Sequence, residues 1–210
     1  MSRSILPTRR QGRLIVFEGP DESGKTTISK QVAATLNSRG QKCIWLAFPG
    51  HEPHSLGAEI YSLHHDPRFG DAPPLSLQLL HIAAHVESIQ RRILPALKAG
   101  TWVVLDRFWW SALAYGLAAK VEPKALNLAL QVEQLQWGRV RPSIAFLFVR
   151  DLPNLKKQPS GRVRLQHIYQ QIARREKCRH SVQIVQNNST LEEVCTLVTD
   201  IVGKMPPTLR

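Results

Sequence analysis

Residues Phe17 to Thr27 read FEGPDESGKTT, and this stretch decides the fold of the chain. Gly19 to Thr26 match the pattern GxxxxGK[ST] at every position. The apolar run RLIVFE before the match is typical of a buried strand, and the segment after it has the periodicity of an amphipathic helix. Between a strand and a helix, a glycine-rich loop lets backbone N–H groups close around phosphate. The stretch therefore predicts a phosphate-binding P-loop.

The residue types within the loop indicate how phosphate would be held. Lys25 can reach the β- and γ-phosphates of a nucleotide, and the hydroxyl of Thr26 can ligate Mg²⁺. The helix that starts after the loop adds positive potential at its N-terminus. The residues expected to bind the nucleotide are Gly19, Asp21, Glu22, Ser23, Gly24, Lys25, Thr26 and Thr27.

Strand-like and helix-like segments alternate along the rest of the chain. After the first strand, apolar runs predict strands at 42–50, 101–106, 143–149 and 181–186. Helical periodicity predicts helices at 25–40, 55–65, 75–97, 109–119, 123–137, 161–176 and 190–202. Strands that are apolar nearly throughout, separated by helices, indicate a parallel sheet covered on both faces. We therefore expect an α/β fold of three layers around a five-stranded parallel sheet.

The third predicted strand ends in Asp106 and Arg107. In open α/β sheets, ligands bind at the edge formed by the carboxyl ends of the strands. Asp106 would then lie near the P-loop and could organise the Mg²⁺ shell. Arg107 could hold a second phosphate group through two parallel hydrogen bonds, which lysine cannot do. This pair predicts the acceptor side of a phosphate-handling site.

Composition and charge narrow the classes of partner. The formal net charge of +12 fits a polyanion, either nucleotide phosphates or a nucleic acid. The sequence carries no recognisable nucleic-acid-binding motif, so nucleotides are the expected partner. Without an apolar run of about 18 residues, no membrane span is expected. Three cysteines without CxxC spacing suggest reduced thiols and a cytoplasmic location.

The chain reads as one P-loop domain over residues 13–210, preceded by a basic arm over 1–12 that we expect to be flexible. An organelle transit peptide is the alternative interpretation of the arm. Inside the domain, residues 150–164 include a short, basic, loop-like stretch with proline and glycine.

Five segments resemble motifs of the thymidylate kinase family. FEGPDESGKTT is similar to the family's FEGxDGxGKTT, LLHIAAHVESI to its LLFxAxRxxxx helix, and DRFWWSALAY to its DRYxxSxxAY. FPGHEPHSLGAEI and RPSIAFLFV are similar to its second-strand loop and its RPDLxxxLxV strand. The resemblance runs from Arg13 to about Val202. It implies a P-loop kinase fold, phosphorylation of dTMP to dTDP with ATP and Mg²⁺, and a homodimer as the candidate assembly.

The resemblance also implies a role for each matching residue. Thr26 and Asp106 would organise Mg²⁺, and residues 150–164 would act as a lid over the phosphates. The catalytic charges would come from Lys25, Asp106, Arg107 and one lid arginine, Arg162 or Arg164. The acceptor nucleotide would contact Asp21, Phe48, His51, His81, His85, Arg107, Ser111 and Tyr115.

This chain departs from the family pattern at several of these positions. His51 and His85 stand where the family has arginine, and an unperturbed histidine is mostly neutral at pH 7. Glu22 places a carboxylate beside the expected phosphates and needs a cation to offset it. The candidate cations are Lys156, Lys157, Arg162 and Arg164. Gly116 replaces a polar residue, and the lid is short. Two alternatives therefore stay open: a kinase with another nucleotide or nucleoside acceptor, and a nucleotide-binding protein with little or no kinase activity.

Overall fold

The computed structural model describes residues 11–66, 72–151 and 160–205. The strands are β1 (Leu14–Glu18), β2 (Cys43–Ala47), β3 (Trp102–Asp106), β4 (Ile144–Val149) and β5 (Val182–Gln186). The helices are α1 (Lys25–Ser38), α2 (Leu56–His65), α3 (Pro74–Ser88), α4 (Leu94–Lys98), α5 (Trp109–Ala118), α6 (Pro123–Trp137), α7 (Ser160–Glu176) and α8 (Leu191–Gly203). Nearly all of the predicted basic arm, residues 152–159 of the predicted lid, and therefore Lys156 and Lys157, lie outside the described residues.

All five strands join one parallel sheet in the order β2-β3-β1-β4-β5. Phe17 of β1 pairs with Asp106 of β3, and Ala47 of β2 pairs with the same Asp106. This register brings the carboxyl ends of β1, β2 and β3 to one edge of the sheet. The predicted five-stranded parallel sheet is confirmed.

Alternate residues of β1 enter two separate cores. Leu14 and Val16 pack into one cluster with side chains of α5, α6 and α7, while Ile15 and Phe17 pack into another with α1 and α8. Because successive side chains of a strand point to opposite faces, this division places helices on both sides of the sheet. The three-layer prediction is therefore confirmed. Within the described residues, no helix is long and apolar enough to span a membrane.

The long helix predicted over 75–97 is interrupted by a wider turn. Residues Ile89–Ile93 form a π-helical turn between α3 and α4, and the N–H of Leu94 bonds to the carbonyl of Ile89, five residues back. Pro95 follows at the start of α4 and has no N–H to continue the α-helical pattern. The wider turn keeps Ile89 and Ile93 buried against the sheet.

Candidate active site

The candidate active site lies at the carboxyl ends of β1 and β3. The P-loop follows Glu18, and Arg107 follows Asp106 on the neighbouring strand. The backbone N–H of Arg107 bonds to the carbonyl of Phe17, and that of Phe48 bonds to the carbonyl of Asp106. Sheet register thus places the P-loop, the Asp106–Arg107 pair and Phe48 side by side, as expected from the sequence.

Glycine is required at two P-loop positions. Gly19 and Gly24 have positive φ angles of 144° and 86°, which L side chains rarely adopt. A Cβ atom at Gly24 would also lie 2.2 Å from Nδ2 of Asn187. That nitrogen donates a 2.6 Å hydrogen bond to the carbonyl of Ser23 and so supports the loop from the end of β5. Sequence analysis missed Asn187; its place directly after an apolar strand was the available signal.

The start of α1 is arranged to receive an anion. Its N-cap is Gly24, which has no side chain to satisfy the first N–H groups of the helix. Lys25 is buried there, and its Nζ donates to the carbonyl of Pro20 at 3.1 Å. Burial and the nearby Arg107 lower the pKa of Lys25, while the neighbouring carboxylates oppose that shift. These donors suit the phosphates of a nucleotide.

Thr26 and Asp106 form a pair that fits Mg²⁺. The hydroxyl of Thr26 donates to Oδ2 of Asp106 at 2.5 Å. The other carboxylate oxygen, Oδ1, is buried and has no hydrogen-bond partner among the described residues. An ionised carboxylate and a hydroxyl are the hard oxygen ligands that Mg²⁺ takes. The two residues predicted to hold the metal are therefore brought together, with one oxygen left for it.

Arg107 is held in place by the P-loop and by α5. Its guanidinium forms an ion pair with Asp21, lies 5.5 Å from the ring centroid of Tyr115, and donates to Oγ of Ser111 at 3.3 Å. The hydroxyl of Tyr115 donates to the same Asp21 carboxylate at 2.6 Å. Burial alone would lower the pKa of Arg107, but charge interactions with Tyr169, Tyr115, Asp21 and Glu18 raise it above its ordinary value. Four predicted acceptor-side residues thus form one cluster around a fixed positive charge.

Glu18 lies at the centre of the site and was missed by sequence analysis. It is 0% exposed and accepts hydrogen bonds from the N–H groups of Phe108 and Ser111, at 2.7 and 3.0 Å, and from the Ser111 hydroxyl at 2.8 Å. Burial raises its pKa to about 7, although the hydrogen bonds and the charges of Arg107 and Lys25 favour the ionised form. A glutamate closing the apolar strand LIVFE was the available signal.

Tyr169 connects α7 to this centre. Its hydroxyl lies 2.9 Å from Oγ of Ser111, and the side chain is fully buried. Burial raises its pKa well above the ordinary value, so the phenol is neutral at physiological pH. Helix α7, whose first turns carry the predicted lid arginines, is therefore linked to the acceptor-side cluster through the hydroxyl groups of Tyr169 and Ser111.

The three predicted histidines have different surroundings. His85 is 3% exposed, stacks on Phe48 with ring centroids 4.0 Å apart, and shares a 2.8 Å hydrogen bond between its Nδ1 and Glu133 of α6. His81 is half-buried, and its ring centroid lies 6.4 Å from that of His85. His51 is exposed and packs edge-on against Tyr61 of α2, at 4.9 Å. Phe48, His81 and His85 therefore lie together, whereas His51 contacts a different helix.

Glu22 pairs with one of its predicted partners. Arg162, in the first turns of α7, lies 3.2 Å from the Glu22 carboxylate. Arg164 instead donates to the carbonyl of Leu117 at the end of α5, at 3.4 Å. Of the two candidate cations that the structure describes, Arg162 is thus the one beside the P-loop, and it offsets the carboxylate that the sequence places there.

Comparison with known protein families finds one model that matches residues 17–200, described as "Thymidylate kinase". A thymidylate kinase of Bradyrhizobium sp. is 35% identical over 147 residues, which cover 68% of this chain and 61% of that protein. One from Pelotomaculum thermopropionicum is 39% identical over 105 residues, covering 50% and 48%. One from Neorickettsia sennetsu is 32% identical over 196 residues, covering 88% and 92%. The first two matches thus span less than two thirds of those relatives.

A solved structure has the same fold. The crystal structure of thymidylate kinase from Ehrlichia chaffeensis superposes with a TM-score of 0.75 at 24% identity, over 92% of this chain and 99% of that one. The P-loop kinase fold expected from the sequence is therefore confirmed.

Proposed function

The chain belongs to the thymidylate kinase family, and we propose that it transfers the γ-phosphoryl group of ATP to dTMP, giving dTDP and ADP. The observation that carries this proposal is the position of Arg107. Its guanidinium faces the P-loop across the ends of β1 and β3, bound to Asp21 and Ser111. A fixed cation opposite a P-loop is suited to bind the phosphate of a second, acceptor nucleotide. An ATPase or a nucleotide sensor has no acceptor nucleotide to bind.

On the donor side, Lys25 and the N–H groups of residues 19–27 would hold the ATP phosphates. Thr26 and Asp106 would hold Mg²⁺, which supplies neutralising charge to the β- and γ-phosphates. The unpartnered Oδ1 of Asp106 supports this assignment. Because phosphoryl transfer involves little covalent chemistry by the protein, the task of these residues is positioning and charge stabilisation.

On the acceptor side, Arg107 would orient the monophosphate for in-line attack on the γ-phosphorus. Asp21 and Tyr115 keep the guanidinium in place, and Asp21 would also meet the acceptor sugar. Phe48, with His81 and His85 beside it, would line the base pocket. His51 would approach the acceptor phosphate from the loop after β2.

The lid would complete the charge stabilisation. Arg162 lies beside Glu22 of the P-loop, so it would supply the positive charge that Glu22 cannot. Arg164 is the second lid arginine proposed for this role. Closure of the lid over the phosphates would exclude water and limit ATP hydrolysis.

A different acceptor is the second candidate function, and the surroundings of His85 favour it. The ring is covered by Phe48 and bonded to Glu133, so it has a shorter reach and fewer hydrogen-bond donors than a guanidinium in its place. A nucleotide-binding protein with little activity is the third candidate, motivated by Glu22. Its carboxylate is offset by Arg162, which supports the kinase over this third candidate.

An acceptor panel separates the three candidates. ADP formation from ATP–Mg²⁺ is measured with dTMP, dUMP, dCMP, dAMP, dGMP, the ribonucleotides and thymidine, with Lys25→Ala as the control. We expect the highest kcat/KM with dTMP and only background with Lys25→Ala. A higher value for another acceptor would establish the second candidate. ATP binding without turnover on any acceptor would establish the third.

We also propose a cytoplasmic homodimer. Large apolar side chains are exposed on α3 and α6: Leu79, Leu80, Leu128, Val132 and Leu135. Large apolar side chains exposed on two helices that pack against each other are typical of an interface. The three cysteines are all unpaired, which fits a reducing compartment.

A further inference from the structure

Glu18 is a buried carboxylate to which the reaction described above gives no task. It ends β1 and directly precedes Gly19. Its Oε1 accepts from the N–H groups of Phe108 and Ser111, while Oε2 accepts from the Ser111 hydroxyl and, at 3.3 Å, from the N–H of Gly19. All of these donors belong to the P-loop or to the start of α5.

The start of α5 depends on this carboxylate. The N-cap residue of α5 is Phe108, whose apolar side chain cannot accept hydrogen bonds from the first N–H groups of the helix. Glu18 takes that place from a different strand. A carboxylate at a helix N-terminus also interacts favourably with the helix dipole. The first turn of α5 is therefore fixed to the end of β1 by one side chain.

The residue just before this turn is held in a strained conformation. Arg107 has a φ of 73°, in the left-handed region that is unfavourable for a residue with a side chain. Such a conformation is energetically unfavourable and persists only where neighbouring contacts impose it. On the C-terminal side of Arg107, the hydrogen bonds from Phe108 and Ser111 to Glu18 hold the backbone in this conformation. At Arg107 itself, the hydrogen bond from its N–H to the carbonyl of Phe17 ties the backbone to β1.

We propose that Glu18 is a positioning residue for the acceptor-phosphate clamp. By capping α5 it fixes the backbone of residues 107–111 and thereby directs the guanidinium of Arg107 toward Asp21 and the space above the P-loop. Through the Ser111 hydroxyl and Tyr169, the same carboxylate is linked to α7. This inference rests on the proposed function, because it takes Arg107 as the group that binds the acceptor phosphate.

Two substitutions test separately the length of the Glu18 side chain and its negative charge. Glu18→Asp keeps the charge but shortens the side chain by about 1.5 Å, so the carboxylate no longer reaches α5. Glu18→Gln keeps the reach, and its amide oxygen can still accept from Phe108 and Ser111. The matched control is Glu122→Gln, because Glu122 caps α6 by accepting from the N–H of Ala125 at 2.6 Å and takes no part in the site.

Calorimetric binding of dTMP and of a non-hydrolysable ATP analogue with Mg²⁺ tests the proposal without requiring turnover. We expect Glu18→Asp to weaken dTMP binding by at least about tenfold, the equivalent of a lost cap of about 1.4 kcal/mol, and analogue binding by less than about threefold. Glu18→Gln should restore dTMP affinity to within about threefold of the wild type, and the control should match the wild type. The melting temperature of each variant shows whether it is folded.

Three results would overturn the proposal: equal weakening of both ligands by Glu18→Asp, no weakening of either, or a Glu18→Gln variant as impaired as Glu18→Asp. A wild type that binds no monophosphate would also overturn it, since Arg107 would then have no acceptor to clamp. A wild type that binds dTMP but does not phosphorylate it would contradict only the proposed function.

Discussion

Arg107 shows how a single residue acquires its role from its neighbours. Asp21 fixes one side of the guanidinium, Ser111 another, and the Tyr115 ring lies against it. The same side chain on an unsupported loop would sample many rotamers and would bind phosphate weakly. Its planar shape is as important as its charge, because bidentate binding of phosphate requires a guanidinium.

Replacing Arg107 by lysine therefore tests geometry at constant charge. We expect Arg107→Lys to raise the KM for dTMP by at least about tenfold and to leave the KM for ATP within about twofold, since one bidentate contact is lost on the acceptor side alone. Steady-state kinetics with each substrate varied in turn measures both constants. The control is Arg139→Lys, the same substitution at an exposed position outside the site. A similar rise in both KM values would contradict the assignment of Arg107 to the acceptor.

Glu18 should make stability fall as the pH rises. Its pKa is raised from 4.5 in the unfolded chain to about 7 in the folded state, chiefly by burial, so the folded state binds this proton more tightly. Its stabilising effect is complete below the unfolded pKa and is lost as the pH rises through 7, a difference of about 3 kcal/mol. The groups that face it are Lys25 of α1, Arg107 and Ser111 beside and within α5, and Tyr169 of α7.

Urea unfolding of the wild type and Glu18→Gln at pH 5 and pH 8 measures this effect. Because the other titrating groups are common to both proteins, the difference between the two free energies of unfolding isolates Glu18. We expect the wild type to lose more stability than Glu18→Gln between these pH values. Parallel losses in the two proteins would show that Glu18 does not titrate in this range.

At the scale of elements, sequence periodicity located every strand and helix but not the change of helical register. Strands are short apolar runs and helices have a 3.6-residue period, so both leave a pattern in the sequence. The π-helical turn at Ile89–Ile93 leaves none, because one extra residue hardly shifts the apolar stripe over so short a segment. Pro95 indicated a change in the helix near this position, but not that the change would be a π-helical turn.

Helix α7 belongs to this scale because it carries both predicted lid arginines, of which Arg162 lies beside the P-loop and Arg164 beside the end of α5. Arg162 lies beside Glu22, so replacing Arg162 and Arg164 together by alanine should leave the Glu22 charge uncompensated next to the phosphates. We expect kcat to fall by at least about tenfold, in keeping with the loss of one transition-state charge partner. Arg174→Ala, an exposed change on the same helix, is the control. An unchanged kcat in the double variant would remove the lid from the mechanism.

At the scale of the whole molecule, contiguous parts of the site could be predicted and dispersed parts could not. The P-loop and the Asp106–Arg107 pair are recognisable because each lies in one short segment. Asn187, Tyr169 and Glu133 support the site from three other segments, whereas Glu18 supports it from the residue directly before the P-loop. The strand-end positions of Asn187 and Glu18 mark them as candidates, but the partners of all four residues are set only when the sheet brings the segments together.

The proposed dimer can be tested at the same scale. A charge at Leu135, which is 76% exposed on α6, would be buried against the partner and should shift the protein from dimer to monomer in sedimentation velocity. Leu135→Glu is compared with Leu197→Glu, whose position on α8 is also exposed, at 51%, but lies on the other face of the sheet. A monomeric wild type, or equal effects of both substitutions, would contradict an interface on α3 and α6.

The reaction proposed for this site is the transfer of a phosphoryl group from ATP to dTMP. ³¹P NMR of a mixture of dTMP, ATP and Mg²⁺ follows the β-phosphate of dTDP directly, with Lys25→Ala as the matched inactive protein. We expect dTDP resonances that grow as those of ATP decline, with the wild type only. Release of inorganic phosphate without dTDP, or dTDP formation that persists in Lys25→Ala, would contradict it.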